Sequence, residues 1–429
     1  MKRAIALAGG GTKGAYQAGF VKAIQELGIE YDIVTGTSIG SLNGALLVQH
    51  DEDRLIDLWE HMEMKRVLAQ EIPMKLNVDE FLKESNRVTS FFKKYVKEQG
   101  ADITPFREMI HEYYNEDKFM NSKIEYGLVT VEFPTLKSRY ITKEDMKEGK
   151  GEKYLLASAS CFPAFPRCSF DGLEFVDGGY YDNLPIELAL RLGADEVIAV
   201  DLDDKPIHRQ FVNKPSITYI RPSFSLGSFL DFDAKHITQN ILLGYFDTMK
   251  IYKKLDGVRY TFYPIHEVPE MFNKFYRQLL VFDHKLTQSK LVSDENAVST
   301  RLCRDNQRAF LSIREMNFAM MDSIMVTLQM NPYELYRLDD VIEKIHQEFE
   351  VAFLDNYEIL PELNVKEVVK TLENMTKKEI VTKLIHSILY REKSRIPLRL
   401  VLNVFGFETA MALWIITSKG IELKWEEIT

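Results

Sequence analysis

Residues 3–40 read RAIALAGGGTKGAYQAGFVKAIQELGIEYDIVTGTSIG, and their order of apolar runs and glycines decides the fold. Residues 3–8 are a short, nearly continuous apolar run, the pattern of a strand covered on both faces. Glycines follow, then a helical pattern over 15–27. There Tyr16, Phe20, Ala23, Ile24 and Leu27 recur at i, i+3, i+4 spacing on one face. Gly28 supplies a stop signal. Residues 31–35 predict a second strand, and 38–49, rich in Leu and Ala, a second helix. This β-α-β-α order predicts parallel strands joined by right-handed crossovers.

Working outward, 51–115 read as mostly helical and charged, a cap or side layer on the sheet. Strand patterns return at 126–133 and 138–140, followed by a helix over 152–160 and a strand over 173–177. A helix over 185–192, strands over 196–202 and 216–220, a helix over 235–255 and a strand over 258–263 complete the series. Beyond about residue 265 only helical patterns remain. The sequence therefore predicts an α/β domain with a mostly parallel central sheet over 1–260. A mainly helical domain of unassigned role follows over 261–429.

Composition removes several classes. Apolar residues make up 45% and charged residues 28% of 429, which excludes a disordered chain, a fibrous repeat and a polytopic membrane protein. The net charge of −10 argues against a protein that tracks nucleic-acid phosphates. It also means that attraction to anionic lipid needs a local basic patch. Cys161, Cys168 and Cys303 form no disulfide framework and no C-x-x-C motif, as expected for thiols in a reducing compartment. The apolar stretch after Met1-Lys2-Arg3 is shorter than the ~7–15 residues of a signal-peptide core. Arg399 and Glu408 interrupt the apolar stretch 396–419, so no membrane span is expected. A cytoplasmic address follows, with 396–419 read as either a buried amphipathic helix or an interfacial one.

The first chemistry-bearing motif is Gly9-Gly10-Gly11-Thr12-Lys13-Gly14, between the first strand and first helix. It satisfies G-x-G-x-x-G, yet the second strand ends without the carboxylate that holds a dinucleotide ribose. The P-loop order fails as well, because Lys13 precedes Gly14. What remains is a row of bare N–H groups at a helix N-terminus, suited to a phosphate or a developing oxyanion. The second motif, Gly36-Thr37-Ser38-Ile39-Gly40, is G-x-S-x-G between a strand and a helix, the setting of a nucleophile elbow. Both loops follow the C-terminal ends of consecutive parallel strands, so the glycine loop lies beside Ser38.

A histidine base is not evident. None of the nine histidines sits in a motif; His50 ends a helix and His208 lies in a polar loop. The third motif, Asp177-Gly178-Gly179, ends the strand over 173–177. It reads either as a common Asp-Gly turn or as a carboxylate delivered to the edge that carries Ser38.

Together these motifs resemble the patatin-like phospholipase family. In that family a G-G-G-x-[KR]-G loop forms the oxyanion hole, G-x-S-x-G carries the nucleophile and D-G-[GA] carries the second member of a Ser–Asp dyad. The segment Ala157-Ser158-Ala159-Ser160-Cys161-Phe162-Pro163 is similar to the family's A-S-x-x-x-P helix, with Cys161 where a smaller residue is common. The resemblance spans about residues 3–202 and implies a patatin-like three-layer fold.

It also implies catalytic Ser38 and Asp177, an oxyanion hole drawn from Gly9, Gly10, Gly11, Thr12, Lys13 and Gly14, and supporting turns at Gly36, Gly40, Gly178 and Gly179. The hole is expected around the amides of Gly10, Gly11 and Thr12, with Lys13 steering a headgroup or ordering the loop. No metal or cofactor is called for; Asp201, Asp203 and Asp204 are expected to end a strand in solvent. The implied substrate is a phospholipid or other acyl-ester lipid, met through peripheral membrane contact, with no nucleic-acid partner. Phe162, Phe165, Phe170 and Phe175 either line an acyl channel or pack as core. Two alternatives stay open: another esterase or thioesterase on the same fold, and a non-catalytic lipid- or protein-binding module.

Overall fold

The computed structural model describes residues 1–69, 101–288, 293–306, 308–354, 365–390 and 404–423. The part of the expected side layer at 70–100 and the part of the apolar stretch at 396–403 lie outside them. Contacts divide the chain into two units, Met1–Tyr252 and Lys253–Thr429.

The first unit holds eight strands in one sheet. They are β1 (Arg3–Leu7), β2 (Ile33–Thr37), β3 (Glu125–Phe133), β4 (Lys137–Thr142), β5 (Cys168–Phe170), β6 (Leu173–Asp177), β7 (Glu196–Val200) and β8 (Ile217–Ile220). Its helices are α1 (Ala15–Glu26), α2 (Ile39–Val48), α3 (Glu52–Glu60), α4 (Thr104–Tyr113), α5 (Glu116–Asn121), α6 (Gly151–Ser158), α7 (Ile186–Arg191) and α8 (Ala234–Ile251). β3, β2, β1, β7 and β8 lie side by side and run parallel. All five residues of β2 and four of five in β1 and β7 are buried, which is why these strands read as apolar runs rather than alternations.

The remaining pairs are antiparallel. β4 takes one edge of β3, from Gly127↔Thr142 to Glu132↔Lys137. The opposite edge of β3 is shared. β2 occupies it up to Thr37↔Val129, and β6 occupies it from Thr130↔Asp177 onward. The two strands therefore meet end to end, C-terminus against C-terminus, along one neighbour.

Two details differ from the sequence expectation here. β2 sits two residues later than 31–35 and runs into the G-x-S-x-G motif. The short strand β5, beside β6, carries no alternation long enough to read from sequence.

Within the second unit the described elements are mainly helices: Glu270–Gln288, Val298–Asp305, Ile313–Thr327, Leu338–Glu348, Val365–Glu373, Lys377–Leu389 and Gly406–Ser418. A two-residue strand, Thr261–Phe262, pairs in parallel with Leu335–Tyr336. The strand expected at 258–263 is thus shorter and lies outside the main sheet. Its partner lies in the stretch that read as helical only. The helix Gly406–Ser418 is buried from Thr409 to Thr417, and its Trp414 Nε1 donates to Asn317 Oδ1 at 3.0 Å. It packs as core rather than facing an interface. Among the described residues, no helix is long and apolar enough to cross a membrane.

Candidate active site

Ser38 sits between the last residue of β2 and the first of α2, at φ 54° and ψ −126°. A non-glycine residue in this region costs on the order of 1–3 kcal/mol, so the surroundings must enforce it. They do so by close packing. A Cβ on Gly36 would stand 2.3 Å from Gly40 O, and one on Gly40 would stand 2.4 Å from Leu7 O. Only glycine at both places lets the strand double back into the helix against β1. The Ser38 carbonyl accepts the Ser41 N–H at 2.9 Å and the Ser41 hydroxyl at 2.6 Å, which closes the first turn of α2.

Asp177 reaches this turn from the opposite direction. Because Thr37 pairs with Val129 and Asp177 pairs with Thr130, adjacent residues of β3 hold the two strand ends together. A Cβ on Gly178 would lie 2.2 Å from Val129 O, so the chain can turn away there only as glycine. The Asp177 carboxyl is buried, and that desolvation pushes its pKa up to about 6; hydrogen bonds from the Ser38 side chain and the Gly179 N–H oppose the rise. The Gly179 N–H donates to Asp177 Oδ1 at 2.8 Å. A carboxylate with this affinity is a far better acceptor for a hydroxyl proton than one at the ordinary ~3.9.

The glycine loop lies beside both. A Cβ on Gly9 would be 2.9 Å from Ser38 Cβ and 2.5 Å from Asn183 Oδ1. Its amides can be accounted for one by one. Gly9 donates to Asn183 O at 3.0 Å, Thr12 to Phe229 O at 2.8 Å, and Lys13 to Gly10 O at 3.2 Å. Gly14 belongs to the turn that enters α1. The N–H groups of Gly10 and Gly11 have no backbone acceptor among the described residues. Of the three amides expected around the hole, that of Thr12 is thus engaged by a loop distant in sequence. Gly11 adopts φ +56°, and a Cβ there would lie 2.1 Å from Phe229 O.

A buried amide network fixes both ends of this loop. Gln17 Nε2 donates to Ala8 O at 2.8 Å, and Asn43 Nδ2 donates to Gly14 O at 3.3 Å and to Gln17 Oε1 at 2.8 Å. Trp59 Nε1 completes it by donating to Asn43 Oδ1 at 3.0 Å. All three side chains are essentially inaccessible. Every polar atom in this chain has a partner, so it specifies one loop geometry at no cost in orphaned groups.

These groups open onto a cavity of about 420 Å³. Ser38, Asp177 and the loop form its polar end, while Trp59, Met62, Phe106, Met109, Phe165 and Phe229 supply apolar wall. Of the four phenylalanines in question, Phe165 lines the cavity and Phe162 does not. Phe170 and Phe175 stack at 4.9 Å and pack against Tyr154 as core. Cys161 also lines the cavity; burial pushes its thiol up to about 12, which keeps it protonated.

Lys13 Nζ pairs with Asp203 Oδ1 at 3.1 Å, which ties the loop to the end of β7. Asp201 is not in solvent. It is fully buried and accepts N–H groups from Leu202, Asp203 and Ile207, so it organises the turn after β7. His208 Nε2 lies 3.2 Å from Asp182 Oδ1, and that contact raises its pKa. It does not line the cavity. Among the described residues no cluster of potential metal ligands is found.

Three contributors were not visible in the sequence reading: Asn183, Phe229 with its loop, and the Gln17–Asn43–Trp59 network. Asn183 bonds Gly9 through both its main chain and its Nδ2, the latter to Gly9 O at 3.0 Å. Thr12 Oγ1 donates to Ser228 O at 3.2 Å and accepts the Asp231 N–H at 3.1 Å. The Asn183 and Phe229-loop contacts cross more than 170 residues of chain, for which local pattern holds no signal.

A strand–turn–helix with a glycine loop against it, on a mostly parallel sheet, defines an α/β fold with Ser38 at the turn. Residues 5–190 match the family model described as patatin-like phospholipase. Human patatin-like phospholipase domain-containing protein 6 is 30% identical over 201 residues, 46% of this chain and 13% of that protein. Rat patatin-like phospholipase domain-containing protein 7 is 29% identical over 204 residues, 47% of this chain and 14% of that protein. Lysophospholipase nte1 of Aspergillus niger is 27% identical over 200 residues, 46% of this chain and 12% of that protein. The aligned stretch is thus a small part of each relative's length. Among solved structures, VipD from Legionella pneumophila aligns over 97% of this chain and 90% of its own. At 13% identity and a TM-score of 0.38, that likeness carries no argument.

Proposed function

We propose that this protein is a serine acyl hydrolase that cleaves carboxylic esters of phospholipids or lysophospholipids through an acyl-enzyme on Ser38. The observation that carries the reading is the junction of Ser38, a buried carboxyl with pKa about 6 and two unpaired amides at one end of an apolar cavity. Asp177 takes the proton of Ser38 as Oγ bonds to the acyl carbon, and the Gly10 and Gly11 N–H groups receive the oxyanion. The C–O bond to the alcohol then breaks, and the alcohol leaves with the proton held by Asp177. Water adds to the acyl-enzyme with Asp177 again as base, which releases the fatty acid and restores Ser38.

The apolar wall accepts a hydrocarbon chain by burial, at roughly 0.8 kcal/mol per CH₂. The family match and the names of the relatives support a lipid ester as the substrate. With a net charge of −10, contact with a membrane surface rests on apolar groups or a local basic patch rather than on overall charge. The free thiols suit the cytoplasm. Every residue assigned a role lies in the first unit.

Two measurements test this. A fluorophosphonate should form a P–O bond to Ser38 Oγ with loss of fluoride, read as an adduct on the peptide that contains Ser38 and absent in Ser38→Ala. A panel of phospholipids, lysophospholipids, acylglycerols and acyl-CoA, read by product mass, should give a fatty acid from a lipid ester. Labelling with hydrolysis of acyl-CoA alone would make it a thioesterase. Folded protein that takes no label would be a binding module.

A further inference from the structure

The C-terminal turn of α6 touches the main chain of both dyad residues. The Ser38 N–H donates to Ser158 Oγ at 2.9 Å, and that hydroxyl donates in turn to Val129 O at 2.7 Å. Two residues later, Ser160 O accepts the Asp177 N–H at 2.9 Å. Ser158 and Ser160 are fully buried. Val129 is the β3 residue paired with Thr37, so Ser158 bridges the elbow to the strand at the point where β2 gives way to β6.

From this geometry we infer that Ser158 is a positioning residue for the Ser38–Asp177 reaction. The inference rests on the acyl-hydrolase reading. Its hydroxyl satisfies the amide of a residue at positive φ that no strand or helix hydrogen bond reaches. Because the same turn holds Asp177 through Ser160 O, it sets the spacing of the nucleophile and its base. It also withdraws the Ser38 amide from the cavity, leaving Gly10 and Gly11 to receive the oxyanion. Without the Ser158 hydroxyl, the Ser38 N–H and Val129 O lose a shared partner, and the elbow is free to relax away from Asp177.

The test is the rate of fluorophosphonate labelling of the full chain as a function of pH, for wild type and Ser158→Ala, with thermal unfolding measured alongside. Thr248→Val is the control, since it removes a buried hydroxyl bonded to Gly244 O within α8. Ser158→Ala should label more slowly by on the order of 10–100-fold, the cost of a sub-ångström to ångström misplacement. Its pH midpoint should move up, because Asp177 loses the Ser38 hydroxyl that favours its ionised form. A merely destabilised protein, as in the control, keeps the wild-type rate and midpoint below its unfolding temperature. Ser158→Ala that labels with the wild-type rate and midpoint overturns the inference and leaves the dyad intact. Wild-type protein that takes no label overturns the dyad reading, and this inference with it.

Discussion

Thr37 and Asp177 occupy successive places along one edge of β3, opposite Val129 and Thr130. The residue after Thr37 is Ser38, so a one-residue shift in either register would turn a side chain to the other face of the sheet and part the pair. The closeness of Ser38 and Asp177 is therefore a property of strand pairing as much as of the two side chains.

A pH dependence follows from the buried carboxyl. As the proposed base, Asp177 must be ionised, and burial holds its pKa at about 6. Hydrolysis should rise with pH through about 6 and level off above it, with the pH profile of kcat/KM as the check. A rise centred near 4 would mean that Asp177 is solvated in the working enzyme.

The same shift has a consequence for stability with a definite sign. The folded-state value lies above the unfolded reference of ~3.9, so between about pH 4 and 6 the folded protein holds a proton that the unfolded chain releases. Stability from this group is present at low pH, falls as pH rises through about 6 and stays lower above it. Asp177→Asn, which cannot ionise, should be more stable than wild type at pH 7.5 by roughly 2–3 kcal/mol and should lose that advantage near pH 4. Denaturant unfolding at the two pH values decides it.

The glycine loop leaves no room for substitution at Gly11, where φ is +56° and a Cβ would strike Phe229 O. Gly11 is half-buried, so Gly11→Ala should fold with the loop displaced. Loss of one hole donor lowers kcat by on the order of 10²-fold. The expected result is a fall in kcat with KM little changed; unaltered kcat would place the oxyanion elsewhere.

The aromatic residues divide by position. Phe165 lines the cavity, so Phe165→Ala should alter preference for acyl chain length, measured with a series of esters. Phe170 packs against Tyr154 and Phe175, so Phe170→Ala should lower stability by about 1–3 kcal/mol and leave chain-length preference unchanged.

Much of this was legible in the sequence because it is local. The apolar runs at β1 and β7, the stripe of α1 and the glycine turns each report within a dozen residues. The strand Leu173–Asp177 was readable by its bounds, but not by its direction. A strand's partner depends on long-range pairing, and nothing in that segment says that β6 runs against β3 to meet β2. Asp201 misled for a similar reason. Three acidic residues after a strand look solvated, and the acceptors' partners, the amides of Leu202, Asp203 and Ile207, appear only when the turn closes. The commitment of Thr12 to Phe229 O, 217 positions on, had no local trace.

The central claim is that Asp177 is the base for Ser38. Its most direct test is hydrolysis of a lipid ester at pH 8 by wild type and by Asp177→Asn, with both shown to be folded. The account predicts a rate roughly 10²–10⁴-fold lower for Asp177→Asn, the range that a positioned general base supplies. Hydrolysis by Asp177→Asn at the wild-type rate would contradict it.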